Sequence, residues 1–357
     1  MEVVTSSGPI VEADRVRFVV ADPEGELGCV RLLQDLQRPR LGPDFVQRDD
    51  RWVLELRRPE IDRMEYLLQL TSAAGEERLI PDPANPLRAE GPFGDKSVIE
   101  WPGYEPPAWL ASDFSRPGRI AEHFVEARPL RAALRLLLWS ADGVNEEQPA
   151  PLLVAHDGPE YGEYSKLMML LDAKTSSGEL PPMRAALIAP VERDHIYSAS
   201  AAYARALAHG VLPWLGGLAP TPGGRSMRVG MGASLGALAM LHTHRTYPAS
   251  FGALFLQSGS FFRQRFDRQE AGFVRFRRIS RFVGKVLAAP EWTHPIPIAM
   301  ICGTVEENLI NNHAMRAALN DQGYEARLDT HRDAHNWVAW RDTFDPHLVR
   351  LLQEVWA

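Results

Sequence analysis

The first hundred or so residues consist of short apolar stretches, rich in β-branched and aromatic side chains, separated by turn-forming residues. Stretches of this length and composition are typical of β-strands. Four strands are predicted, at residues 16–20, 29–33, 52–56 and 64–70. Proline-rich segments follow, where the fixed φ and missing N–H of proline interrupt regular ladders. The pattern predicts a small β-sandwich domain over residues 1–105.

From about residue 119 the pattern changes to apolar runs that alternate with segments of helical length. This alternation is typical of βα units around a mostly parallel sheet. Strands are predicted at 120–126, 132–139, 151–155, 185–189, 227–231, 252–256, 296–302 and 326–331. Helices are predicted at 198–215, 235–245, 309–322 and 337–356. We therefore predict an α/β domain with a mostly parallel central sheet over residues 119–357, joined to the β-sandwich by a linker at 106–118.

Composition and charge narrow the classes of partner. Apolar residues make up 45% and charged residues 24% of the 357 residues, as in folded globular proteins. The net charge of -7 offers no attraction for a phosphate backbone, so nucleic acid is not an expected partner. The N-terminal stretch lacks the basic and apolar regions of a signal peptide, and no run is long enough to span a membrane. We expect a cytoplasmic protein without membrane association, with Cys29 and Cys302 as buried reduced thiols.

The strongest chemical signal is the Gly-Ala-Ser-Leu-Gly segment at 232–236. A serine hydroxyl is a poor nucleophile unless it is exposed beside a base. In α/β-hydrolases a strained strand-to-helix turn with small flanking residues provides that exposure. A predicted strand precedes the segment and a predicted helix follows it, which favours Ser234 as the nucleophile over an ordinary glycine-rich turn. The start of the helix would also place the Leu235 N–H where an oxyanion forms.

The general base is expected in the loop after the last strand, because α/β-hydrolases carry the nucleophile, the acid and the histidine in that order. His335 lies in such a loop, between the predicted strand 326–331 and the final helix. The acid should follow the preceding strand, where we favour Glu306. The adjacent Glu307 is the alternative, and either could instead be a solvated acid near the start of a helix. The histidines expected to be structural are His242, His244 and His347.

With these residues in place, the chain resembles the enterochelin esterase family of esterase-D-like α/β-hydrolases. The resemblance covers nearly the whole chain and rests on Asp-Pro-Ala-Asn-Pro at 82–86 and on segments 152–158, 232–236, 303–308 and 335–340. It implies an N-terminal immunoglobulin-like domain and a catalytic triad of Ser234, His335 and an acid near Glu306. It also implies a cytoplasmic enzyme that hydrolyses siderophore-like or other small acyl esters.

One departure from the family concerns the oxyanion hole. The family usually has a backbone N–H donor directly after the Asp-Gly pair of the loop at 152–158, whereas this chain has Pro159, which has no N–H. Leu235 and Gly158 are the predicted donors, with Glu160 or the hydroxyl of Tyr161 as alternatives. The residues predicted to contact the substrate are Tyr161, Arg193 and Trp337.

The predicted reaction is hydrolysis of a small-molecule ester through an acyl-enzyme on Ser234, without a cofactor. No metal site is predicted, because His242 and His244, two residues apart on a helix, point to nearly opposite faces. The absence of a long apolar lid segment favours short or aromatic acyl groups. An acyltransferase of the same mechanism and a catalytically impaired binding protein are the alternatives, and Pro159 supports the latter. A homo-oligomer is an open alternative to a monomer.

Overall fold

The computed structural model describes residues 8–37, 41–112, 117–292 and 294–356. Residues 113–116 of the predicted linker and residues 1–7 of the predicted β-sandwich lie outside the described residues. The chain forms two compact units, each discontinuous in sequence. Unit 1 comprises Met1–Pro106, Gly303–Glu307 and His331–Ala339. Unit 2 comprises Pro107–Cys302, Asn308–Thr330 and Trp340–Ala357.

Unit 1 is built on two antiparallel sheets, which confirms the predicted small β-domain. Its strands are β1 (Ile10–Val11), β2 (Arg15–Ala21), β3 (Leu27–Gln34), β4 (Val46–Arg48), β5 (Arg51–Arg57), β6 (Arg63–Ser72), β7 (Glu77–Ile80), β8 (Arg88–Ala89) and β9 (Lys96–Glu100). One sheet has the order β1-β2-β5-β4. The other has the order β3-β6-β9-β8, and β7 pairs with β6.

The core of unit 1 forms from the alternate side chains of these strands. Along β2, buried positions alternate with more exposed ones, as expected for a sheet with one face in the core. The ring of Phe18 packs edge-on against Tyr66 of β6, with 5.1 Å between the ring centroids. Val305 and Ala334, from the two short segments of the second half of the chain, belong to the same core. Those segments are therefore packed into the N-terminal β-domain.

Unit 2 contains an eight-stranded mixed sheet, which confirms the predicted α/β-hydrolase fold. Its strands are β10 (Arg119–Ala127), β11 (Ala132–Ser140), β12 (Leu152–His156), β13 (Arg184–Ile188), β14 (Arg228–Ala233), β15 (Ala253–Gln257), β16 (Pro297–Gly303) and β17 (Glu325–His331). The order is β10-β11-β13-β12-β14-β15-β16-β17. The pairs from β13 to β16 are parallel, whereas β10 with β11 and β11 with β13 are antiparallel. Every residue of β12, β13 and β15 is buried, as parallel strands covered on both faces require.

Ten α-helices are described along the chain. They are α1 (Gly158–Glu163), α2 (Leu167–Ser176), α3 (Arg193–Ile196), α4 (Ala201–Ala206), α5 (Leu212–Leu218), α6 (Leu235–Thr246), α7 (Phe276–Ala288), α8 (Leu309–Asp321), α9 (Trp337–Asp342) and α10 (Val349–Trp356). In the described part of the chain, no helix is long and apolar enough to cross a membrane.

Two predicted helices differ from the structure. The helix predicted at 198–215 consists of α4 and α5 joined by a π-helical segment, Leu207–Val211. The single helix predicted at 337–356 is wrong, because Asp345 has non-helical angles of φ -108° and ψ 120°. Asp345 precedes Pro346, and the ring of a proline disfavours helical angles in the residue before it.

The two cysteines differ in exposure. Cys302 on β16 is buried, as predicted. Cys29 is partly exposed, so the prediction of burial is wrong for this thiol. The register of β3 against β6 shifts between Leu27 and Cys29. Such an irregularity interrupts the strict alternation of inward and outward side chains.

Candidate active site

Ser234 forms the turn between β14 and α6. β14 ends at Ala233 and α6 begins at Leu235. The backbone of Ser234 has φ 55° and ψ -120°, angles that cost a residue other than glycine on the order of 1–3 kcal/mol. Ser234 is partly exposed. A strained serine between a strand and a helix is the geometry of the nucleophile elbow in α/β-hydrolases.

The two glycines of the turn allow this geometry. A Cβ added to Gly232 would lie 2.6 Å from the carbonyl carbon of Gly236, which is closer than backbone atoms tolerate. A Cβ added to Gly236 would lie 3.2 Å from the Cβ of His156, the last residue of β12. Gly232 therefore lets the strand meet the first turn of α6, and Gly236 lets α6 meet the end of β12.

The main chain of Ser234 is fixed by the neighbouring strand. Its N–H donates to the carbonyl oxygen of Gln257 on β15 at 2.9 Å, and its carbonyl oxygen accepts from the N–H of Ser260 at 3.1 Å. The hydroxyl oxygens of Ser234 and Ser260 are 3.0 Å apart. Ser260 was not among the site residues predicted from the sequence. The signal was available, because Ser-Gly-Ser at 258–260 follows the strand parallel to β14, and parallel strands end at the same edge of the sheet.

Leu235 and Gly158 are each the first residue of a helix. The first N–H groups of a helix have no acceptor within it and lie at the positive end of its dipole. Leu235 begins α6, and Gly158 begins α1. Pro159 lies in the first turn of α1, where its missing N–H removes no hydrogen bond of the helix. The segment after Gly158, which was expected to be a loop, is therefore helical. Proline is compatible with the first turn of this helix.

The end of β12 is tied to the elbow by His156. Its Nδ1 lies 3.0 Å from the carbonyl oxygen of Gly236, and its ring stacks on Tyr197 with 4.5 Å between centroids. Burial lowers the pKa of His156 to about 3, so the ring is neutral near pH 7 and Nδ1–H donates to Gly236. The first turn of α6 is thereby held against the sheet.

Arg193, a predicted substrate contact, pairs with Asp157. Its Nε and Nη2 donate to the two carboxylate oxygens of Asp157 at 2.8 and 2.7 Å. Asp157 is buried, and the Arg193 side chain keeps 36% of its surface exposed. The guanidinium therefore orders the residue before Gly158 and still presents an edge to solvent. Substrate contact by Arg193 stays a prediction.

Tyr161, predicted to contact the substrate or to assist the oxyanion, lies inside unit 2. Its side chain is fully buried, and its hydroxyl donates to Gln257 Oε1 at 2.7 Å. The Nε2 of Gln257 donates to the carbonyl oxygen of Trp340 at 3.0 Å and to Thr343 Oγ1 at 2.8 Å. This placement does not support either predicted role, because a buried aromatic side chain cannot meet a ligand without movement of its neighbours.

The predicted acid and base contact each other in unit 1. His335 Nδ1 lies 2.7 Å from Glu306 Oε2, a short distance for an N–H···O bond to a carboxylate. The other oxygen of Glu306 accepts from the N–H of Gly303 at 2.8 Å. Glu306 is buried, whereas the His335 side chain keeps 32% of its surface exposed. Glu307, the alternative acid, makes no described contact with His335.

Close packing brings the acid loop and the base loop together. A Cβ added to Gly303 would lie 2.1 Å from the carbonyl oxygen of Asp333 and 2.9 Å from Glu306 Oε1. On the far side of His335, Asn336 Oδ1 accepts from the N–H of Ala339 at 2.8 Å and so caps α9. The remaining predicted contact, Trp337, is the first residue of α9 and is partly exposed. Its role stays a prediction.

His242 and His244, which were predicted to be structural, pack against aromatic rings. The ring of His242 lies edge-on to Phe282 at 4.8 Å, and that of His244 to Tyr324 at 5.8 Å. Burial lowers the pKa of both histidines to about 4. His347 lies in the π-helical segment Phe344–Leu348 and faces Asp329 at 3.3 Å. Among the described residues, no group of three or more His, Cys, Asp or Glu side chains could hold a metal ion.

The chain is similar in sequence to iron(III) enterobactin esterases. The chain is 28% identical over 221 residues to the iron(III) enterobactin esterase of Dickeya dadantii (strain 3937). This match covers 58% of this chain and 49% of the relative. A match to the enzyme of Escherichia coli O6:H1 covers 51% of that relative at 27% identity. The chain thus spans about half the length of the curated relatives it matches.

One solved structure has the same fold and matches nearly the full length of both chains. The crystal structure of enterochelin esterase from Shigella flexneri superposes with a TM-score of 0.78 at 21% identity, covering 99% of this chain and 97% of that chain. At this identity the likeness shows the fold. The resemblance to enterochelin esterases inferred from the sequence is confirmed by these matches.

A family model matches the segment that carries the elbow and the acid–base pair. The model, described as "Putative esterase", matches residues 139–351, which is more than half of the chain. This segment contains Ser234, Glu306 and His335. The chain therefore belongs to this esterase family of α/β-hydrolases.

Proposed function

We propose that this protein hydrolyses carboxylic esters, with Ser234 as the nucleophile and His335 as the general base. The observation that carries the proposal is the strained backbone of Ser234, which two glycines hold at the start of a buried helix. In such a strained turn the serine hydroxyl is exposed and can reach a substrate. The contact of His335 with Glu306 and the family membership support the same chemistry.

In the proposed reaction, Ser234 Oγ attacks the ester carbonyl carbon while Nε2 of His335 takes the hydroxyl proton. Glu306 accepts from Nδ1–H, which fixes the tautomer and stabilises the imidazolium. The imidazolium then protonates the leaving alcohol, and an acyl-enzyme remains on Ser234. His335 next removes a proton from water, which attacks the acyl carbon. The imidazolium returns this proton to Ser234 Oγ as the bond between Oγ and the acyl carbon breaks and the acid is released.

The negative charge on the carbonyl oxygen needs N–H donors during each attack. We assign this role to the backbone N–H groups of Leu235 and Gly158, the first residues of α6 and α1. Each donor of an oxyanion hole stabilises the transition state by about 3 kcal/mol. Because Gly158 precedes Pro159, the proline does not remove either donor.

The substrate class comes from the relatives. The curated relatives are named for iron(III) enterobactin, and a second Shigella flexneri structure of this fold was obtained in the presence of enterobactin, with a TM-score of 0.75. We propose a siderophore-like or other small acyl ester as the substrate, handled by a cytoplasmic enzyme. A panel of p-nitrophenyl esters of graded chain length, followed by catecholate lactones, tests this. Faster turnover of long-chain esters than of acetate would contradict it.

The central test is Ser234→Ala, assayed on p-nitrophenyl acetate and on labelling by an activated phosphonate. Turnover should fall by at least about 10⁴-fold, and labelling should vanish. Ser260→Ala is the matched control, since it removes the hydroxyl 3.0 Å away and leaves Ser234 intact. It should still be labelled at Ser234. Turnover by Ser234→Ala at the wild-type rate would remove the proposal.

A double mutant tests whether His335 serves Ser234. His335→Ala should slow turnover by a factor similar to that of Ser234→Ala. Residues of one catalytic unit are strongly non-additive, so the double mutant should be no slower than the slower single mutant. Multiplied effects would show that the two residues act separately.

A further inference from the structure

The loops that carry Glu306 and His335 are joined to the N-terminal β-domain by main-chain hydrogen bonds. The N–H of Gln37, after β3, donates to the carbonyl oxygen of Val305 at 3.1 Å. The N–H of Asp62, before β6, donates to the carbonyl oxygen of Arg332 at 2.9 Å. Because Val305 and Ala334 also lie in the β-domain core, the residue before Glu306 and the residue before His335 are both anchored there.

Arg63, the first residue of β6, contacts the base loop from within this domain. It is only 3% exposed. Its Nη1 donates to Asn336 Oδ1 at 3.4 Å and lies 3.8 Å from Asp333 Oδ2. The same nitrogen donates to Glu65 Oε1 at 3.0 Å, so the guanidinium is neutralised within its own strand.

The two residues of the base loop that Arg63 contacts, Asp333 and Asn336, lie on either side of His335. Asp333 Oδ1 accepts from the N–H of Ala334 at 2.6 Å and from Asn336 Nδ2 at 3.0 Å. Asp333 and Asn336 therefore form a clasp around the backbone of His335. The clasp is closed by side chains of the loop itself, and Arg63 attaches it to the β-domain.

A buried ion pair does not by itself make a domain more stable. Breaking a buried ion pair destabilises a protein, whereas well-packed apolar residues in its place are often as stable. A guanidinium that reaches two residues beside the base instead gives that loop a fixed orientation, because hydrogen bonds are directional. Catalysis depends strongly on such orientation, since a displacement of about 1 Å costs on the order of 100-fold in rate.

We propose that Arg63 is a positioning residue for the general base His335. The N-terminal domain then helps to orient a catalytic side chain. This inference rests on the proposed function of His335. Arg63 acts through Asp333 and Asn336 and keeps His335 Nδ1 in line with Glu306.

Two substitutions of Arg63 and one control test the proposal. Arg63→Gln removes the charge and keeps a hydrogen-bonding group in the buried position. Arg63→Lys keeps the charge, and it can reproduce contacts that a single nitrogen makes. Tyr66→Phe is the matched control, because Tyr66 lies on the same strand and its buried hydroxyl donates to Asp82 at 2.8 Å, away from the base loop. It weakens the same domain without altering the clasp.

Turnover is measured on p-nitrophenyl acetate together with the melting temperature of each variant. For Arg63→Gln we expect kcat to fall by about 10- to 100-fold, with KM within about threefold of the wild type, because orientation and not binding is lost. Arg63→Lys should recover most of kcat. Tyr66→Phe should lower the melting temperature and leave kcat within about twofold.

A second readout needs no substrate. A proton bonded to a carboxylate at this short distance gives a low-field proton NMR signal, assigned here by its absence in His335→Ala. The signal should broaden or vanish in Arg63→Gln and persist in Arg63→Lys and Tyr66→Phe. If no ester is turned over by the wild type, the proposed function fails, and this signal alone decides whether Arg63 positions His335.

The outcomes separate cleanly. An unchanged kcat together with an unchanged NMR signal in Arg63→Gln would overturn the proposal. An equal loss of kcat in Tyr66→Phe would also overturn it, because the loss would then come from general weakening of the domain. If Arg63→Gln does not fold, Asn336→Ser tests the same link, since serine keeps a capping oxygen for Ala339 but removes the acceptor for Arg63. Its kcat and NMR signal should then change as stated for Arg63→Gln, and wild-type values would overturn the proposal.

Discussion

The elbow of unit 2 is shaped by close backbone packing around the five consecutive residues 232–236, whereas the acid–base pair of unit 1 is shaped by side chains from distant parts of the chain. Ser234 owes its position to the missing side chains of Gly232 and Gly236. His335 owes its position to charged and amide groups, one of them on a strand that begins 272 residues earlier.

The two kinds of support respond to different perturbations. The elbow should be insensitive to charge and pH and highly sensitive to an added methyl group. The acid–base pair should respond to any change in the charges that surround it.

The largest expected effect is the loss of charge at Glu306. Glu306→Gln keeps the size of the side chain but removes the charge that, in the proposed mechanism, stabilises the imidazolium and holds the Nδ1–H tautomer. Turnover should fall by on the order of 10³- to 10⁴-fold, as for the acid of other triads. The measurement is kcat on p-nitrophenyl acetate. Glu307→Gln is the matched control and should leave kcat within about threefold; the reverse result would exchange the roles of the two residues.

The next effect concerns the dependence of stability on pH. Burial raises the pKa of Asp333 to about 7, although Arg63 beside it lowers the pKa. The folded state therefore binds a proton more tightly than the unfolded state, whose carboxyl has a pKa of about 3.9. Asp333 adds stability below about pH 4, and this is lost as the pH rises to about 7, a change on the order of 4 kcal/mol.

Asp333→Asn isolates this contribution. The melting temperature of the variant minus that of the wild type should increase from pH 5 to pH 8. Buried His156 and His244 and partly buried His242 act in the opposite direction, because their lowered pKa values remove stability as the pH falls. They are common to both proteins and cancel in the difference. A difference that does not change with pH would show that the pKa of Asp333 is not raised.

The contrast between the two regions also decides what the sequence could predict. Ser234 was predictable because its constraint is local, so strand, turn and helix appear as one contiguous pattern. His335 and Glu306 were placed by their order along the chain, and the structure finds them in contact. Arg63 was not predictable, because no pattern links a residue at the start of a strand to a loop 270 residues away.

The differences between prediction and structure have equally particular causes. The segment after Gly158 was predicted as a loop but folds as α1 with the ring of Tyr161 buried, and the roles predicted for Tyr161 stay predictions. The break in the last helix was visible as Pro346, which should have ended the predicted helix. Packing decides the first case, and only the second could have been resolved from the sequence.

The third prediction adds one methyl group to the elbow. In Gly232→Ala the new Cβ would lie 2.6 Å from the carbonyl carbon of Gly236, so the first turn of α6 must shift and carry Ser234 with it. We expect kcat to fall on the order of 100-fold. Gly284→Ala is the matched control, since the Cβ it would add within α7 meets no atom of the described residues within 4 Å apart from its chain neighbours and the adjacent helix backbone. It should stabilise the helix by about 0.5–1 kcal/mol and leave kcat unchanged. Equal kcat in both variants would show that the elbow is not sterically tight.

The smallest expected effect is at Pro159, which distinguishes the catalytic assignment from an impaired binding protein. Pro159→Leu restores an N–H in the first turn of α1, at a position where proline is tolerated because no helical bond is lost. If Leu235 and Gly158 already supply the donors, the new N–H adds nothing, and kcat should stay within about threefold while the greater freedom of the unfolded chain lowers stability by about 0.4–1 kcal/mol. If a donor is missing, the same substitution should raise kcat by about 100-fold.

We expect the first result, in which kcat is unchanged, because the conformation of Ser234 and the contact of His335 with Glu306 are both retained. The assay compares kcat and the melting temperature of Pro159→Leu with those of the wild type, and a large gain in kcat would show that Gly158 is not a donor.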